Sequence, residues 1–392
     1  MKRIRFVQRR RTVGLTQEVL AEQLHVDVST VRRWEHGQSE PQPWQRSNLA
    51  MALKVSVEAL NDLLSDRSEG RYSLTPFLQA LPLPQTSEQT DDDMAVMDAF
   101  RLADRQAGGG QLYATMTDYL KQTVAPRLLG GVEEDEKLFA AAAGLTQVAG
   151  WMAHEAGRDD AANRHFHRAL RLAVAAGDTE LAADVMIGLS HVANQHGQPA
   201  AAVAYARRGG VYLTVSRPNR DVEARLHAMA ARGFAAIRQE KECTAQLKSA
   251  EQALKREPDP NASPWTSQFD HAALAMESAR CFRALGQFES AKRAAETVLT
   301  VRPADRPRSR GFAQLSLASV LIAEGKIDEA CHAGREALDS TVSVSSSPLL
   351  HQFARLGRQL DGHRRNHDVA AFLELLQPEL AARHQRLGIA SS

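Results

Sequence analysis

Two adjacent arginines near the amino terminus are surrounded by the residue types that a protein needs to contact a nucleic acid. Arg32 and Arg33 follow Ser29 and Thr30, and Val28 comes just before them. A guanidinium can donate two hydrogen bonds to a guanine edge, a small hydroxyl can reach a base or a phosphate, and an aliphatic group can touch a thymine methyl. This combination predicts an exposed helix face that contacts duplex DNA.

The expected contacts divide between bases and phosphates. Either arginine could hold a guanine, and the other would then be solvated or bound to phosphate. The residues expected to face the major groove are Val28, Ser29, Arg32 and Arg33, and those expected nearer the phosphates are Gln17, Thr30 and His36.

Motifs for catalysis are missing from the sequence. It has no nucleophile elbow, HExxH segment, P-loop or closely spaced cysteine pair. Gly108–Gly110 lacks the following Lys-Ser/Thr of a phosphate loop, so it predicts a turn. We therefore predict neither an enzyme nor a bound cofactor.

The histidines and cysteines do not predict a metal site. His165 and His167 are two residues apart on a helix and so lie on different faces, while His154, His191 and His196 have no cysteine at ligand spacing. Cys243, Cys281 and Cys331 are odd in number and far apart, which indicates buried thiols in a reducing compartment.

Two short helices joined by a tight turn must position the arginines. Thr16 is a good N-cap for the first helix, which has Leu20, Ala21 and Leu24 on one face. Residues 25–27 break the pattern, and Ser29 or Asp27 can cap the second helix. That helix has Val31 and Trp34 on its inner face and stops at Gly37.

This stretch resembles the phage-repressor, or Cro/Xre-type, helix-turn-helix family over residues 4–64. The residues that carry the resemblance are Gly14–Gln17, Leu20-Ala21, Val26, Ser29–Val31, Trp34-Glu35 and Gly37, followed by Leu49-Ala50, Leu53, Val55–Val57 and Leu60. The resemblance implies a five-helix DNA-binding domain over residues 1–66 and a structural ion pair between Arg10 and Glu35. The first helix, about 3–12, would bury Ile4 and Val7 with its arginines outward; the fourth and fifth would span about 44–53 and 56–64. An ordinary helical hairpin is the alternative.

Composition and charge fit this interpretation. Residues 1–37 contain eight basic and four acidic residues, although the whole chain has a formal net charge of only +1. Such a local excess suits a polyanion. The sequence has no run of 18 apolar residues and no secretion signal at its start, so we expect a cytoplasmic protein without a membrane span.

A linker and a helical connecting region follow the first domain. Residues 67–90 contain three prolines, Pro76, Pro82 and Pro84, and predict the linker. The connecting region is expected over 91–134, with one helix from Asp91 to about Gln106 and another over about 111–124, stopped by Pro126.

An internal repeat occupies the rest of the chain. Gly157, Gly197, Gly286 and Gly325 each have an alanine five residues later, at intervals of 40, 89 and 39. A weaker copy inside the longest interval is expected to turn at Lys241, and a last one near Asn366. The pattern resembles the tetratricopeptide repeat, with a period longer than the usual one of about 34. It predicts an all-α protein with about six helix pairs over 135–388; a generic helical bundle is the alternative.

Stacked helix pairs offer a concave wall that could bind an effector, either a signalling peptide or a small molecule. The alternatives are a wall used only for dimerisation, or a scaffold that docks a protein partner while DNA binding localises the complex. A homodimer is expected because one reading helix covers few base pairs. The residues expected to line the wall are Asn194, Tyr205, Arg232, Gln239, Gln268, Arg280 and Arg283.

Overall fold

A computed structural model gives the fold of the chain. It describes residues 15–53, 89–130, 135–213 and 219–388, together with residues 3, 6, 7, 9, 10, 13, 55, 60, 63 and 64. The chain divides into two compact units, Met1–Leu74 and Thr75–Ser392. Within the described residues all regular secondary structure is helical, which confirms the predicted all-α class.

The N-terminal unit contains helices α1 (Gln17–Gln23), α2 (Val28–Glu35) and α3 (Pro43–Ala52). The Thr16 hydroxyl accepts a hydrogen bond from the Val19 amide at 3.2 Å, as an N-cap does. His25 takes a positive φ of 52° in the turn between α1 and α2, and Gly37 takes one of 62° after α2. Most of the predicted fifth helix and of the linker over 67–90 lies outside the described residues.

Side chains from four segments form the core of this unit. Leu20, Val31 and Trp34 are buried against Leu49 and Phe6. The predicted inner face of α2 is therefore confirmed. Phe6 was not predicted to be in the core, because the helical pattern before the first cap is short and also fits an inward Ile4, which lies outside the described residues.

The outward orientation predicted for the arginines of the first segment is wrong for two of them. Arg3 and Arg10 are only 5% and 6% exposed. Arg3 Nη1 donates to the carbonyl oxygens of Trp34 at 3.1 Å and Ser39 at 2.9 Å, so this side chain ties the start of the unit to the end of α2. Part of the basic excess in the sequence is thus structural.

The second unit opens with the connecting helices. They are α4 (Gln89–Ala107), a 3₁₀ turn (Gly109–Gln111), α5 (Tyr113–Tyr119), a π turn (Leu120–Val124) and α6 (Ala125–Gly130). Gly108 has a φ of 77°, in agreement with the predicted turn. The predicted stop at Pro126 is wrong, because the widened π turn just before it accommodates a proline that would collide with the preceding turn of a regular α-helix.

Six antiparallel helix pairs follow in the described part of this unit. In each pair a first helix is joined by a short turn to a second helix. The pairs are α7 (Glu136–Glu155) with α8 (Asp159–Ala175), α9 (Thr179–Gln195) with α10 (Pro199–Leu213), α11 (Arg220–Ala236) with α12 (Glu240–Leu254), α13 (His271–Leu285) with α14 (Phe288–Val301), α15 (Pro307–Ala323) with α16 (Ile327–Ser340), and α17 (Ser347–Leu360) with α18 (His367–Leu387).

The turn inside each of the first five pairs has one residue in the left-handed region. Four of these residues are the predicted glycines, with φ between 66° and 81°. The third pair instead turns at Arg238, whose φ is 60°, and the predicted turn at Lys241 is wrong by three residues. The small residues five positions after each turn are completely buried; they are Ala162, Ala202, Cys243, Ala291 and Ala330.

Small residues on the first helices let aromatic rings insert between neighbouring pairs. Phe166 of α8 lies against Gly150 of α7 and Gly188 of α9. A Cβ atom at either glycine would stand 2.7 Å or 2.5 Å from the Phe166 ring. The absence of a side chain at these two positions therefore sets how closely α7 and α9 approach the ring.

The six first helices form a closed ring. Each contacts the first helix of the next pair, and α17 contacts α7. Arg308 at the start of α15 connects this helix to α4 and α7. Its guanidinium donates to both carboxylate oxygens of Asp104 at 2.8 and 2.7 Å and contacts Glu155 at 3.2 Å. Burial alone would lower the pKa of Arg308, but these two carboxylates raise it above its usual range.

Candidate nucleic-acid interface

The exposed face of α2 carries most of the residues predicted to face DNA. Asp27 caps the helix by accepting a hydrogen bond from the Ser29 amide at 2.7 Å. Hydrogen bonding to the side chain of Ser29, followed by that to its amide, lowers the pKa of the Asp27 carboxyl. Ser29, Arg32 and Arg33 are exposed, whereas Thr30 is half-buried. The helix therefore presents two guanidinium groups and a hydroxyl together on one surface.

A chain of polar contacts fixes the position of this face. Arg10 Nε donates to Glu35 Oε1 at 2.7 Å, and Gln17 Nε2 donates to the other oxygen of Glu35. Arg32 Nε in turn donates to Gln17 Oε1 at 3.2 Å. The predicted Arg10–Glu35 ion pair is confirmed, and both of its side chains are buried. Arg32 is thereby connected to the domain core through Gln17.

Arg33 has weaker contacts, all within its own helix. Its Nε lies 3.4 Å from the Ser29 carbonyl oxygen, and its Nη2 lies 3.5 Å from Thr30 Oγ1. Such contacts are at the limit of hydrogen-bonding distance and contribute little to stability. Of the two arginines, Arg33 is the one whose guanidinium can turn toward a base edge at the lower cost, since Arg32 would first have to release Gln17.

Three other residues predicted to contact DNA also make contacts within the domain. Val28 is half-buried and packs against the core. Gln17 is half-buried, and its amide contacts Glu35 and Arg32. His36 is exposed, and its Nδ1 donates to the Arg32 carbonyl oxygen at 2.8 Å. Gln17 thus has a positioning role that its cap-adjacent place in the sequence did not indicate.

The predicted wall residues of the repeat separate into two groups. Arg232, Arg280 and Arg283 lie on the first helices α11 and α13, where Arg232 Nε is 3.4 Å from Glu277 Oε2 and Arg280 Nη1 is 2.7 Å from Glu277 Oε1. Asn194 is on α9, but its amide donates to the Met229 carbonyl oxygen at 3.1 Å. The remaining predicted residues are not on first helices: Tyr205 is on α10, Gln239 is at a turn and Gln268 is in the segment before α13.

One arginine of this region was missed in the sequence. Arg355 of α17 is exposed and lies close enough to Arg283 to repel its charge. Its place on the first helix of the last pair was the available signal. The irregular spacing of that pair, in which a 3₁₀ turn Asp361–His363 precedes Asn366, obscured the register.

The histidines near the first two repeat turns are occupied by local hydrogen bonds. His154 Nδ1 and His196 Nε2 contact the two carboxylate oxygens of Asp159 at 2.5 and 2.9 Å. In the ranges described, no group of three or more histidine, cysteine or acidic side chains is arranged to hold a metal ion. No described helix combines the length and the apolar character that crossing a bilayer would require.

Comparison with protein families identifies the N-terminal part. Residues 7–60 match the family described as helix-turn-helix. The chain therefore has a Cro/Xre-type helix-turn-helix domain at its amino terminus, as the residues of α1 and α2 predicted. A tetratricopeptide-like repeat of helix pairs follows this domain in the sequence. A comparison with curated protein sequences gives no match.

Solved structures with a similar course of the chain include two helical proteins. One is PlcR of Bacillus thuringiensis in complex with the peptide PapR7 and DNA, with 14% identity and a TM-score of 0.36 over 77% of this chain and 95% of PlcR. Another is a Rap protein complexed with competence and sporulation factor, with 13% identity and a TM-score of 0.49 over 94% of this chain and 100% of that one.

Proposed function

We propose that the protein is a sequence-specific transcription regulator that binds operator DNA as a homodimer. The observation that carries the proposal is the exposed face of α2, where Ser29, Arg32 and Arg33 lie on a helix anchored by the buried Glu35. A preorganised helix with guanidinium and hydroxyl groups on one face suits readout of the major groove.

The contacts divide into base readout and positioning. Arg33 donates to the O6 and N7 atoms of a guanine, Ser29 reaches a neighbouring base and Val28 touches a thymine methyl. Arg32 binds a phosphate while Gln17 holds it in place. The Thr30 hydroxyl and His36 add further phosphate contacts, which fix the register of the helix on the duplex.

Dimerisation follows from the small size of one reading helix. A single copy discriminates too few base pairs to select a site in a genome, whereas two copies read two half-sites about one helical turn apart. The repeat unit supplies the dimer contact, the effector site, or both. An effector, either a peptide or a small molecule, binds the inner face of the ring and changes the spacing of the reading domains. The regulator acts in the cytoplasm, where its DNA target is accessible.

Selection from a library of genomic fragments tests the proposal. We expect the purified full chain to enrich fragments with two related half-sites and to protect both in footprinting, while small-angle scattering gives the mass of a dimer. The matched control is Arg293→Ala, on the outer helix α14, which should select the same fragments. A monomer that protects a single half-site contradicts the dimer, and failure to enrich any fragment at low salt contradicts the regulator.

A second measurement distinguishes an effector-controlled regulator from a scaffold that docks a protein partner. A low-mass filtrate of cell extract should change the affinity of the regulator for its operator. If the filtrate has no effect and a stoichiometric protein co-purifies with the chain, the repeat unit is a docking scaffold instead.

A further inference from the structure

One register position runs along the inside of the repeat ring. The residues six positions before the turns of the first five pairs are Trp151, His191, Arg232, Arg280 and Ser319. The first three members contact one another in turn: the Trp151 and His191 ring centroids are 5.2 Å apart, and Arg232 Nη1 lies 3.3 Å from His191 Nδ1. The series becomes strongly basic at its third and fourth members.

These two arginines and two others form a cluster of four guanidinium groups. Arg232 and Arg280 share a single carboxylate, that of Glu277, and Arg283 lies one helical turn beyond Arg280. Arg355 approaches from α17. We call Arg232, Arg280, Arg283 and Arg355 the inner arginine cluster. Within the described contacts it has one acidic partner for four positive charges.

Arg283 is the member that is least satisfied. Its Nε atom is buried and has no hydrogen-bond partner among the residues that the structure describes. Burial, together with repulsion from Arg355, Arg280 and Arg232, lowers the pKa of Arg283 to about 10. A buried donor without an acceptor and a surplus of like charge both destabilise the fold, and an added anion would relieve both.

We propose that the inner arginine cluster is a binding site for an oxyanion of the effector, a carboxylate or a phosphate. Guanidinium groups pair with such groups through two parallel hydrogen bonds, and Arg283 supplies an Nε donor to which no described residue offers an acceptor. The proposal rests on the effector role assigned to the repeat unit above, and it names the chemical group that the effector must carry.

The same cluster has a purely structural interpretation. Arg283 lies in the last turn of α13, where a positive charge interacts favourably with the helix dipole. That role and an oxyanion site make opposite predictions for the ligand-free protein. If Arg283 only stabilises its helix, its removal lowers stability. If it awaits an anion, Arg283→Gln raises the stability of the free chain by removing a repelled charge.

Thermal unfolding of the full chain distinguishes the two. The probes are sodium phosphate and sodium citrate, each compared with sodium chloride at the same ionic strength. We expect a rise in Tm of about 2–4 °C when a probe reaches about ten times its dissociation constant. A response to phosphate alone identifies a phosphate site, and a response to citrate alone identifies a carboxylate site. No response beyond chloride overturns the proposal.

Three variants complete the test. Arg283→Gln should abolish the Tm response and raise the Tm measured in chloride. Arg355→Gln, whose side chain is exposed and does not support the core, should weaken the probe affinity severalfold without loss of folding. Arg293→Gln on the outer helix α14 should respond like the parent. A full response in both cluster variants contradicts the site.

The outcome is independent of the DNA experiment. If the chain selects an operator and ignores both probes, the oxyanion site is wrong while the proposed function stands. If the probes bind through Arg283 and no operator is found, the site stands and the proposed function is wrong.

Discussion

Arg10 and Glu35 form a buried ion pair that joins the first segment of the N-terminal unit to the end of α2. The Arg10 Nε and Glu35 Oε1 atoms are 2.7 Å apart, and the two side chains are 7% and 2% exposed. Glu35 also receives the Gln17 amide, which in turn holds Arg32. The orientation of an exposed arginine is thus fixed by a buried carboxylate.

Glu35→Gln should destabilise the helix-turn-helix unit. Removing one partner of a buried ion pair leaves the other charge uncompensated and costs about 3–5 kcal/mol. Hydrogen exchange of the full chain should then show faster exchange of the α1 and α2 amides, with the repeat unit unaffected. Glu22→Gln, at an exposed position on α1, is the control and should leave exchange unchanged. Equal protection in both variants would show that the ion pair is not needed for stability.

Arg238→Gly should stabilise the repeat unit. Arg238 occupies a left-handed turn position, with φ of 60°, that the other four such turns fill with glycine. A non-glycine residue costs about 1–2 kcal/mol there, partly offset by the larger entropy of glycine in the unfolded chain, so we expect a gain of about 1 kcal/mol in chemical denaturation. In the converse change, Gly325→Ala, the new methyl group meets no atom of the described residues within 4 Å, and the change should cost a similar amount. A loss of stability in Arg238→Gly would mean that its side chain stabilises the turn.

Gly188→Ala should destabilise the repeat unit by overpacking. The added Cβ would stand 2.5 Å from Cε1 of the Phe166 ring, so the ring or α9 must shift, at a cost of about 1–3 kcal/mol. Gly210→Ala is the matched control, because the new methyl group at that helical position meets no atom within 4 Å and should stabilise slightly. Phe166→Leu should partly rescue Gly188→Ala. Equal unfolding midpoints for the two alanine variants would refute the close approach of ring and helix.

The sequence predicted the parts of the structure that depend on local chemistry. The Thr16 cap, the inner face of α2 and the four glycine turns each follow from residues a few positions apart. The turn at Arg238 was misplaced because the sequence has no glycine there to mark a positive φ. The ion pair between Arg308 of α15 and Asp104 of α4 joins residues about two hundred positions apart, so no local sequence pattern could predict it.

The same limit applies to the candidate sites. The exposed arginines of α2 could be found because a helix-turn-helix fixes their spacing, and the Arg10–Glu35 pair followed from the resemblance to that family. The wall of the repeat required knowledge of how each helix is rotated. Hence the predicted wall residues include Arg232, Arg280 and Arg283, which lie on first helices, together with Gln239 and Gln268, which do not.

The stability of the repeat unit should decrease in acid through His191. Burial, followed by repulsion from Arg232, keeps the pKa of His191 well below its usual 6.5. Just below pH 6.5 the His191 imidazole therefore stays neutral in the folded chain, whereas it binds a proton in the unfolded chain. The contribution of His191 is therefore fully present above about pH 6.5 and is lost as the pH falls toward the folded pKa. Urea unfolding from about pH 7 to about pH 5 should show a shallower decline in His191→Gln than in the parent.

The control for this pH dependence is a histidine on the surface. His332 of α16 is 73% exposed, so His332→Gln should keep the parental decline. Identical pH profiles for His191→Gln and the parent would mean that His191 titrates in the folded chain as it does in the unfolded one.

The most direct test of the account is the specificity ratio of Arg33→Ala. Fluorescence anisotropy of the full chain would measure its affinities for a selected operator duplex and for a scrambled duplex at one salt concentration. We predict that the parent and Arg293→Ala prefer the operator by about a thousandfold or more, and that Arg33→Ala loses this preference while retaining most of its affinity for the scrambled duplex. An unchanged ratio in Arg33→Ala, or a parent protein that binds both duplexes equally, would contradict the assignment of α2 as the reading helix.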